Sequence, residues 1–569
     1  MKKRSAFVFA IAGLAVTSAA PAPATYSVLI SGGTIYDGSG GTPYVGDVAL
    51  QGDKIIYVGP HAPGTAARTV DVTGKAVSPG FINMLSWAVE SLIADGRGMS
   101  DTYQGVTLEV FGEGDSMGPL TPEMKRLALK RQGDIKYPIK WTTLAQYLEY
   151  LQHKGITPNV ASFIGATTVR VHELGEKDVD PTPAQLDRMR ALVRDAMKEG
   201  ALGVGSSLIY SPATYAETPE LVAITSEAGK CGGMYISHMR SEGNKLLEAI
   251  DELITISKES GAPAEIYHFK QGGAPNWGKL DAAIAKVEAA RKNGQRITAD
   301  MYTYTAGATG LDAAMPSWVQ SGGLEAWIKR LKDPAVRERL VKEMRTPSND
   351  WENLLLLSGS PDNVLLVSFK NPKLKPLTGK TLAEVAKMLG KSPEETAMDL
   401  VIEDGTRVGT VYFLMNEDNV KREAGLPWMS LGSDEASPAP EGVFLKSQSH
   451  PRAYGNTARF LGKYVRDEHA TTLQDAIRRI TSLPATNIGI RNRGWLAPGY
   501  YGDVVVFDPA TIQDHATFPK PDQLATGVED VFINGVQVLK DGKHTGAKPG
   551  RFVRGPGWTG WPGGGACKG

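Results

Sequence analysis

Two cysteines in 569 residues are too few for a framework of disulfides, so the fold must rest on packed cores. Cys567 sits in a glycine-rich tail, Gly563-Gly564-Gly565-Ala566-Cys567, of the kind that frays, and no structural disulfide is expected. An excess of one charge is also missing. The 62 Lys and Arg residues match 62 Asp and Glu, which removes the electrostatic footprint of a nucleic-acid binder or of a protein held to an anionic membrane. Function is therefore expected in a local site. Long apolar runs are scarce too: the stretch from Ala6 to Val16 is shorter than a membrane anchor needs.

That stretch follows Lys2-Lys3-Arg4 and precedes Ala22-Pro23-Ala24, the order of charge, apolar run and small residues found in a cleavable export signal. Residues 1–24 are read as a signal peptide. With no cysteine beside the cleavage point to carry a lipid, the mature protein is expected to be periplasmic or secreted, without a membrane anchor. Cleavage leaves 59 basic against 62 acidic residues, which still implies no polyanionic partner.

Both ends of the remaining chain read as short strands between glycine turns. Near the start these are Ser27 to Ile30, Asp47 to Gln51, Lys54 to Val58 and Arg68 to Val72; near the end, Asp503 to Phe507 and Val528 to Val538, turning at Asn534-Gly535. Neither set would easily bury its own apolar face, so residues 25–76 and 488–553 are expected to share one composite β-sandwich. The middle, 77–487, alternates apolar runs with amphipathic helices, the pattern of a parallel sheet with crossover helices. Thr182-Pro183 opens one such helix, Leu186, Met189, Val193, Ala196 and Met197 share its face, and Gly200 stops it. Strands are predicted near 77–83, 106–112, 159–165, 201–207, 233–238, 263–268, 296–301 and 429–433. Eight strands close a (β/α)8 barrel, so the expected class is α/β, a TIM-like barrel with a composite β-sandwich from both termini. Residues 307–428, with helical pattern over 324–344, 381–389 and 392–403, read as an insertion able to cap the barrel mouth, and 554–569 as a flexible tail.

Barrels of this kind carry their reactive groups at the C-terminal ends of strands. His238 and His268 end successive strands, and Asp434 follows Leu431-Gly432-Ser433 at the eighth. A lone histidine at a strand end is ordinarily structural. Two on neighbouring strands with a carboxylate at hand suit a divalent metal such as Zn2+, with Asp434 placed to take a proton from water. Glu113, between Gly112 and Gly114, is the expected third ligand, its plainer role being to cap a loop. Glu109 has the same strand parity and is expected to be buried in a salt bridge to Arg or Lys.

An ordered series of segments then carries a resemblance: Tyr26 to Gly38, Val77-Ser-Pro-Gly-Phe-Ile-Asn83, Gln104 to Thr107, Gly203 to Tyr210, Tyr235-Ile-Ser-His-Met-Arg-Ser-Glu242, Asp300 to Thr305, Gly432-Ser433-Asp434, His450 to Gly455, Ala497 to Asp503 and Thr545 to Gly550. Together they resemble the N-acyl-D-amino-acid deacylases (D-aminoacylases) of the amidohydrolase superfamily. The resemblance implies a metal-dependent hydrolase of linear amides, acting on an N-acyl amino acid or a small peptide-like substrate. His238 and His268 would be metal ligands and Asp434 the general base. Tyr210, Lys270, Tyr302 and Arg452 fall where the family holds its substrate. Arg452 suits the substrate carboxylate, since a guanidinium fits a carboxylate bidentately, with loop packing as its alternative. For Lys270 a structural role stands level with substrate binding.

The departures are selective. The family's Asp-x-His-x-His at the end of the first strand is here Asn83-Met84-Leu85-Ser86-Trp87, and neither Leu85 nor Trp87 can bind such an ion. The second-strand Cys ligand is also absent, with Glu113 close to its place, and a further His after Phe163-Ile164-Gly165 is replaced by Ala166. One metal position is lost as a unit while the other is kept, so a single zinc per chain is expected, with Trp87 as an apolar wall for the substrate. A catalytically inactive binding relative is the alternative. A hydantoinase-like cyclic-amide hydrolase is weaker, because Gly205-Ser206-Ser207 stands where a bridging carbamylated Lys would be needed. The expected partner is a small-molecule amide, and a homo-oligomer is left open.

Overall fold

The computed structural model describes residues 24–567. All but the last residue of the leader expected over 1–24 lies outside them. At the centre are eight parallel strands: β1 (Phe81–Asn83), β2 (Val106–Phe111), β3 (Asn159–Ser162, resuming at Ile164–Gly165), β4 (Gly203–Ser207), β5 (Met234–His238), β6 (Ala264–Ile266), β7 (Ile297–Met301) and β8 (Met429–Leu431). They pair in chain order. The seam closes where Met84 N–H donates to Leu431 O (2.9 Å) and Asp434 N–H to Leu85 O (2.8 Å). Asn83 staples the same seam: its Nδ2 donates to Ser433 Oγ at 2.8 Å, and its Oδ1 accepts from Ser433 N–H at 2.8 Å. Ile82, Leu108, Val110, Ala161, Phe163, Leu202, Ile236 and Tyr267 share one buried cluster, so the barrel is a packed core rather than a pore.

The crossover helices follow from their caps. In Pro183–Glu199, Thr182 and Gln185 form a reciprocal capping box, Met189, Val193, Ala196 and Met197 are buried, and Gly200 ends the helix at φ +113°. The helical stretch expected over 324–344 is two helices, Leu324–Leu331 and Pro334–Met344. Pro334 has no N–H to continue the first, and Asp333 caps the second instead. These helices, with Leu382–Leu389 and Pro393–Asp404, surround a three-stranded sheet built from Ala306–Gly310, Val364–Ser368 and Gly409–Phe413. The insertion has a core of its own, in which Trp327, Leu340, Leu366, Val401 and Tyr412 pack together.

The two chain ends meet in one nine-stranded sheet of the β-sandwich domain. Ala76–Pro79 from the N-terminal part pairs antiparallel with Val504–Phe507 from the C-terminal part, and Ile30, Val48, Leu50, Val77, Val504, Val506 and Phe532 share the core beneath. The turn between Val528–Ile533 and Val536–Lys540 is Asn534-Gly535, both at positive φ, as a two-residue hairpin of primed type requires. No helix among the described residues is long and apolar enough to cross a membrane.

Two expectations are corrected. Cys231 and Cys567 are joined in a disulfide. The glycine-rich tail does not stand off: Gly555 N–H donates to Gly200 O at 2.8 Å and Ala566 N–H to Pro556 O at 2.9 Å, which brings the tail back under the helix that ends at Lys230. Glu109 has no Arg or Lys partner. It accepts from Asn83 Nδ2 at 3.0 Å, and its Oε1, like Asp101 Oδ2, is buried without a hydrogen-bond partner, while burial and the nearby Glu109 raise Asp101 well above the usual carboxyl range. Burial pushes Glu109 up to about 7, and a neutral acid needs no cation.

The tail bridge closes a loop of 336 residues, so Cys231→Ser is expected to lower unfolding stability by about 2–5 kcal/mol in denaturant titrations. Thiol titration of the unreduced wild type should find neither cysteine free. For Glu109, the folded state holds its proton above the ordinary carboxyl range, so stability falls as pH rises from about 4.5 towards 7. Glu109→Gln removes part of that slope, and a denaturation midpoint that moves as steeply with pH as the wild type's would contradict the raised Glu109 carboxyl.

Candidate metal centre and active site

The C-terminal ends of the barrel strands open into a cavity of about 930 Å³, roofed in part by the insertion through Leu324, Trp327, Leu354 and Arg407. Glu113 enters it just after β2. Gly112 (φ +109°) and Gly114 (φ +72°) flank it, and a Cβ on them would come within 2.5 Å of Phe163 O and 2.7 Å of Ser207 Oγ. Only glycine lets the loop pass so close to β3 and β4. His238 ends β5. His268 follows β6 at φ +36°, unusual for a residue with a Cβ, and is held there by its N–H donating to Asp300 Oδ1 at 2.9 Å.

Glu113, His238 and His268 converge. Glu113 Oε1 lies 3.1 Å from His238 Nδ1 and 2.9 Å from His268 Nε2, and all three side chains are buried. These are the only three acidic, histidine or cysteine groups among the described residues whose ligand atoms gather within 4.8 Å. One carboxylate oxygen and two imidazole nitrogens form a donor set that zinc takes, and the spacing is near the edge of about 3.3 Å of a tetrahedron with zinc's bond lengths. The residues present therefore fit a metal ion.

Around the triad the charges are tightly paired. Burial alone would raise Glu113, but His268 and His238 hold it well below the usual carboxylate range. His268, lowered by burial and by Lys270, is pushed up instead to about 10 by Glu242 and Glu113. Glu242, the last residue of the segment Tyr235 to Glu242, is a site residue that the sequence reading does not single out. It accepts from Lys270 Nζ (2.6 Å), lies 2.8 Å from His268 Nδ1 and 3.6 Å from His238 Nε2, and so backs both ligands from the side away from Glu113. The signal was its spacing, four residues after His238. Lys270 also lies 2.7 Å from His268 Nδ1, so its ammonium is committed to the ligand set while its side chain lines the cavity.

Asp434 stands across the cavity at φ +52°. Burial pushes its carboxyl up, against the pull of Arg452. Arg452 Nη2 donates to Asp434 O (2.6 Å) and lies 2.8 Å from Oδ2, while its Nε and Nη1 have no partner. The guanidinium sits 4.4 Å from the centre of the Tyr302 ring, and Lys270 Nζ 5.4 Å from it. Burial raises the Tyr302 hydroxyl to about 12, so it remains a donor. His450, kept neutral by burial, accepts from Arg452 N–H at 3.0 Å and fixes the start of the helix Arg452–Arg459. Tyr210 meets His238 edge-on, with ring centres 5.2 Å apart. Trp87 is 37% exposed and lines the cavity, but it is more than an apolar wall: its Nε1–H donates to Glu113 Oε2 at 3.0 Å and to Asp434 Oδ1 at 3.2 Å. All nine residues singled out from the sequence thus meet at one cavity.

A family model described as "Amidohydrolase family" matches residues 68–539. Over 532 residues the chain is 30% identical to the D-aminoacylase of Alcaligenes xylosoxydans xylosoxydans, covering 93% of this chain and 97% of that one. The chain belongs to the D-aminoacylase family of the amidohydrolase superfamily. Among solved structures, a D-aminoacylase with a binuclear metal centre, described as showing one-metal activation and second-metal attenuation, superposes with a TM-score of 0.75 at 30% identity, covering 93% of this chain and all of that one. The N-acyl-D-glutamate deacylase from Bordetella bronchiseptica, complexed with zinc and a phosphonate mimic of the tetrahedral intermediate, gives 0.76 at 27% identity and the same coverage. Membership in this family makes the chain a hydrolase of carbon–nitrogen bonds other than peptide bonds, and the barrel with its β-sandwich is the fold of these neighbours.

His238→Ala, His268→Ala and Glu113→Ala are each expected to lose stoichiometric metal after dialysis, read by elemental analysis. Glu242→Gln keeps the ligands but not their orienting carboxylate, and should weaken metal affinity by about 10–100-fold in chelator competition. Unchanged affinity would remove Glu242 from the site's support.

Proposed function

We propose that the chain is an exported amidohydrolase that uses one zinc ion to cleave the linear amide of an N-acyl amino acid. The observation that carries the substrate class is Arg452: a buried guanidinium in the cavity wall, with Nη2 on Asp434 and with Nε and Nη1 unpartnered, keeps charged N–H groups able to donate to a carboxylate. Such groups are costly to bury unless an acceptor satisfies them. The relatives' names, D-aminoacylase and N-acyl-D-glutamate deacylase, support an amide beside a carboxylate.

Glu113, His238 and His268 would hold the metal, and a bound zinc supplies Lewis-acid polarisation of the scissile carbonyl. The other roles belong to the chain. Asp434, fixed by Trp87 on one oxygen and Arg452 on the other, accepts the proton of the attacking water and delivers it to the leaving nitrogen. Arg452 and Tyr302 orient the carboxylate end, and Tyr210 packs beside His238 at the carbonyl end. Glu242 and Lys270 keep His268 in one orientation. Helices of the insertion limit solvent access, which strengthens these interactions. Export rests on the leader pattern of residues 1–24, and the Cys231–Cys567 disulfide supports it, since such bonds persist in oxidising compartments. A single zinc is supported by Leu85 and Trp87, which offer no ligand atom where the family has histidines.

Zinc-reconstituted protein is expected to hydrolyse members of a panel of N-acyl-D- and N-acyl-L-amino acids, and Asp434→Asn to lose about 10²–10⁴-fold in kcat. Capping the substrate carboxylate as an amide should cost the wild type tenfold or more in kcat/KM. Arg452→Met should erase that discrimination; if it survives, Arg452 is not the carboxylate's partner.

A further inference from the structure

Trp87 is placed by backbone rather than by chance. Its N–H donates to Glu435 O at 2.8 Å, Ser86 forms a bridge with Glu435, and Asp434 N–H reaches Leu85 O at 2.8 Å, so the extensions of β1 and β8 run as one ladder past the cavity. The indole and the Asp434 carboxylate are carried on facing rungs of it. Glu113 Oε2 and Asp434 Oδ1 lie 3.0 and 3.2 Å from the same indole nitrogen. Glu113 is buried and Asp434 nearly so, and two carboxylates this near each other repel, a strain relieved by a cation between them or by a proton on one. Among the described residues no Lys or Arg reaches Glu113 Oε2 or Asp434 Oδ1: Leu85 is fully buried and apolar, and Arg452 engages Asp434 through the other oxygen, Oδ2.

We propose that the Trp87 indole N–H is a positioning group, a neutral donor standing where a second cation would otherwise bridge Glu113 and Asp434. It binds the oxygen of Glu113 that faces away from the two histidines, leaving Oε1 for the metal position. On the other side it holds Asp434 Oδ1 while Arg452 holds Oδ2, so the carboxylate that moves the proton cannot rotate out of line. The indole fills the space beside Leu85 and gives each of the two carboxylates a hydrogen-bond donor. This role deepens the hydrolase reading and rests on Asp434 being its base.

The test uses the full mature chain, zinc-reconstituted. Trp87→Phe keeps a ring in the wall and removes the N–H; substitution by the benzothiophene isostere of tryptophan removes only the N–H and covers the case in which Trp87→Phe folds poorly. Both are expected to lower kcat tenfold or more while KM changes less than threefold, with metal content still at one per chain. A rise in KM at unchanged kcat would make Trp87 a wall only and overturn the proposal. A readout independent of turnover is the indole region of a 1H–15N spectrum. The cross-peak lost in Trp87→Phe should lie downfield in the wild type and move upfield in Asp434→Asn, and a cross-peak indifferent to Asp434→Asn overturns the proposal. If the wild type hydrolyses no N-acyl amino acid, the substrate reading fails, while the spectrum still decides the position of the donor.

Discussion

One oxygen atom, Oε1 of Glu113, ties the site together, because both histidines turn a ring nitrogen towards it. A buried carboxylate is tolerable only with close compensation, and the surroundings supply it in a chain: Glu113 to His268, His268 to Glu242, Glu242 to Lys270. Each link needs a strand end at a fixed height. That is why Gly112 and Gly114 stand beside Glu113 and why His268 accepts a left-handed backbone anchored on Asp300. The barrel provides the heights, and the staple of Asn83 on Ser433 keeps its last seam closed beneath Asp434.

Most of this was legible in the sequence where a local rule applied. Strand ends after apolar runs located His238, His268 and Asp434, and flanking glycines marked Glu113. The cap at Thr182 followed by Pro183 and the stop at Gly200 gave a helix that the structure reproduces to its ends. Legibility failed where the partner is remote in sequence. Nothing near Cys231 indicates that Cys567 returns to it across 336 residues, and a glycine-rich tail reads the same whether it is free or folded back. Glu109 was misread because parity gives the side on which a carboxyl lies and not its charge; the group acting on it is another acid, Asp101, and burial raises both carboxyls. Glu242 carried no signal beyond its spacing, since a loop residue's direction depends on the turn that follows β5. Trp87 was read by its missing ligand atoms, whereas its effect on the site comes from a hydrogen bond donor that hydropathy does not register.

The insertion bears on the charge of the cavity by pairing the cation it brings there. Its Arg407 is engaged with Asp312 at 2.8 Å, and Arg131, on the barrel side of the same cavity, is engaged with Glu176 at 2.7 Å. Lys270 is engaged with Glu242. Of these cavity cations only Arg452 keeps buried N–H groups without an acceptor. A ligand's negative charge is therefore best compensated at one end of the cavity, beside Asp434, while Leu120, Met124, Leu324 and Trp327 line apolar wall elsewhere. On the proposed reading that asymmetry fixes direction: a carboxylate drawn to Arg452 would bring the neighbouring amide between Asp434 and the triad of Glu113, His238 and His268. The guanidinium proposed to orient the substrate also holds the Asp434 carboxylate proposed to move the proton, so on that reading binding and proton transfer share one residue, and neither could be altered there without the other.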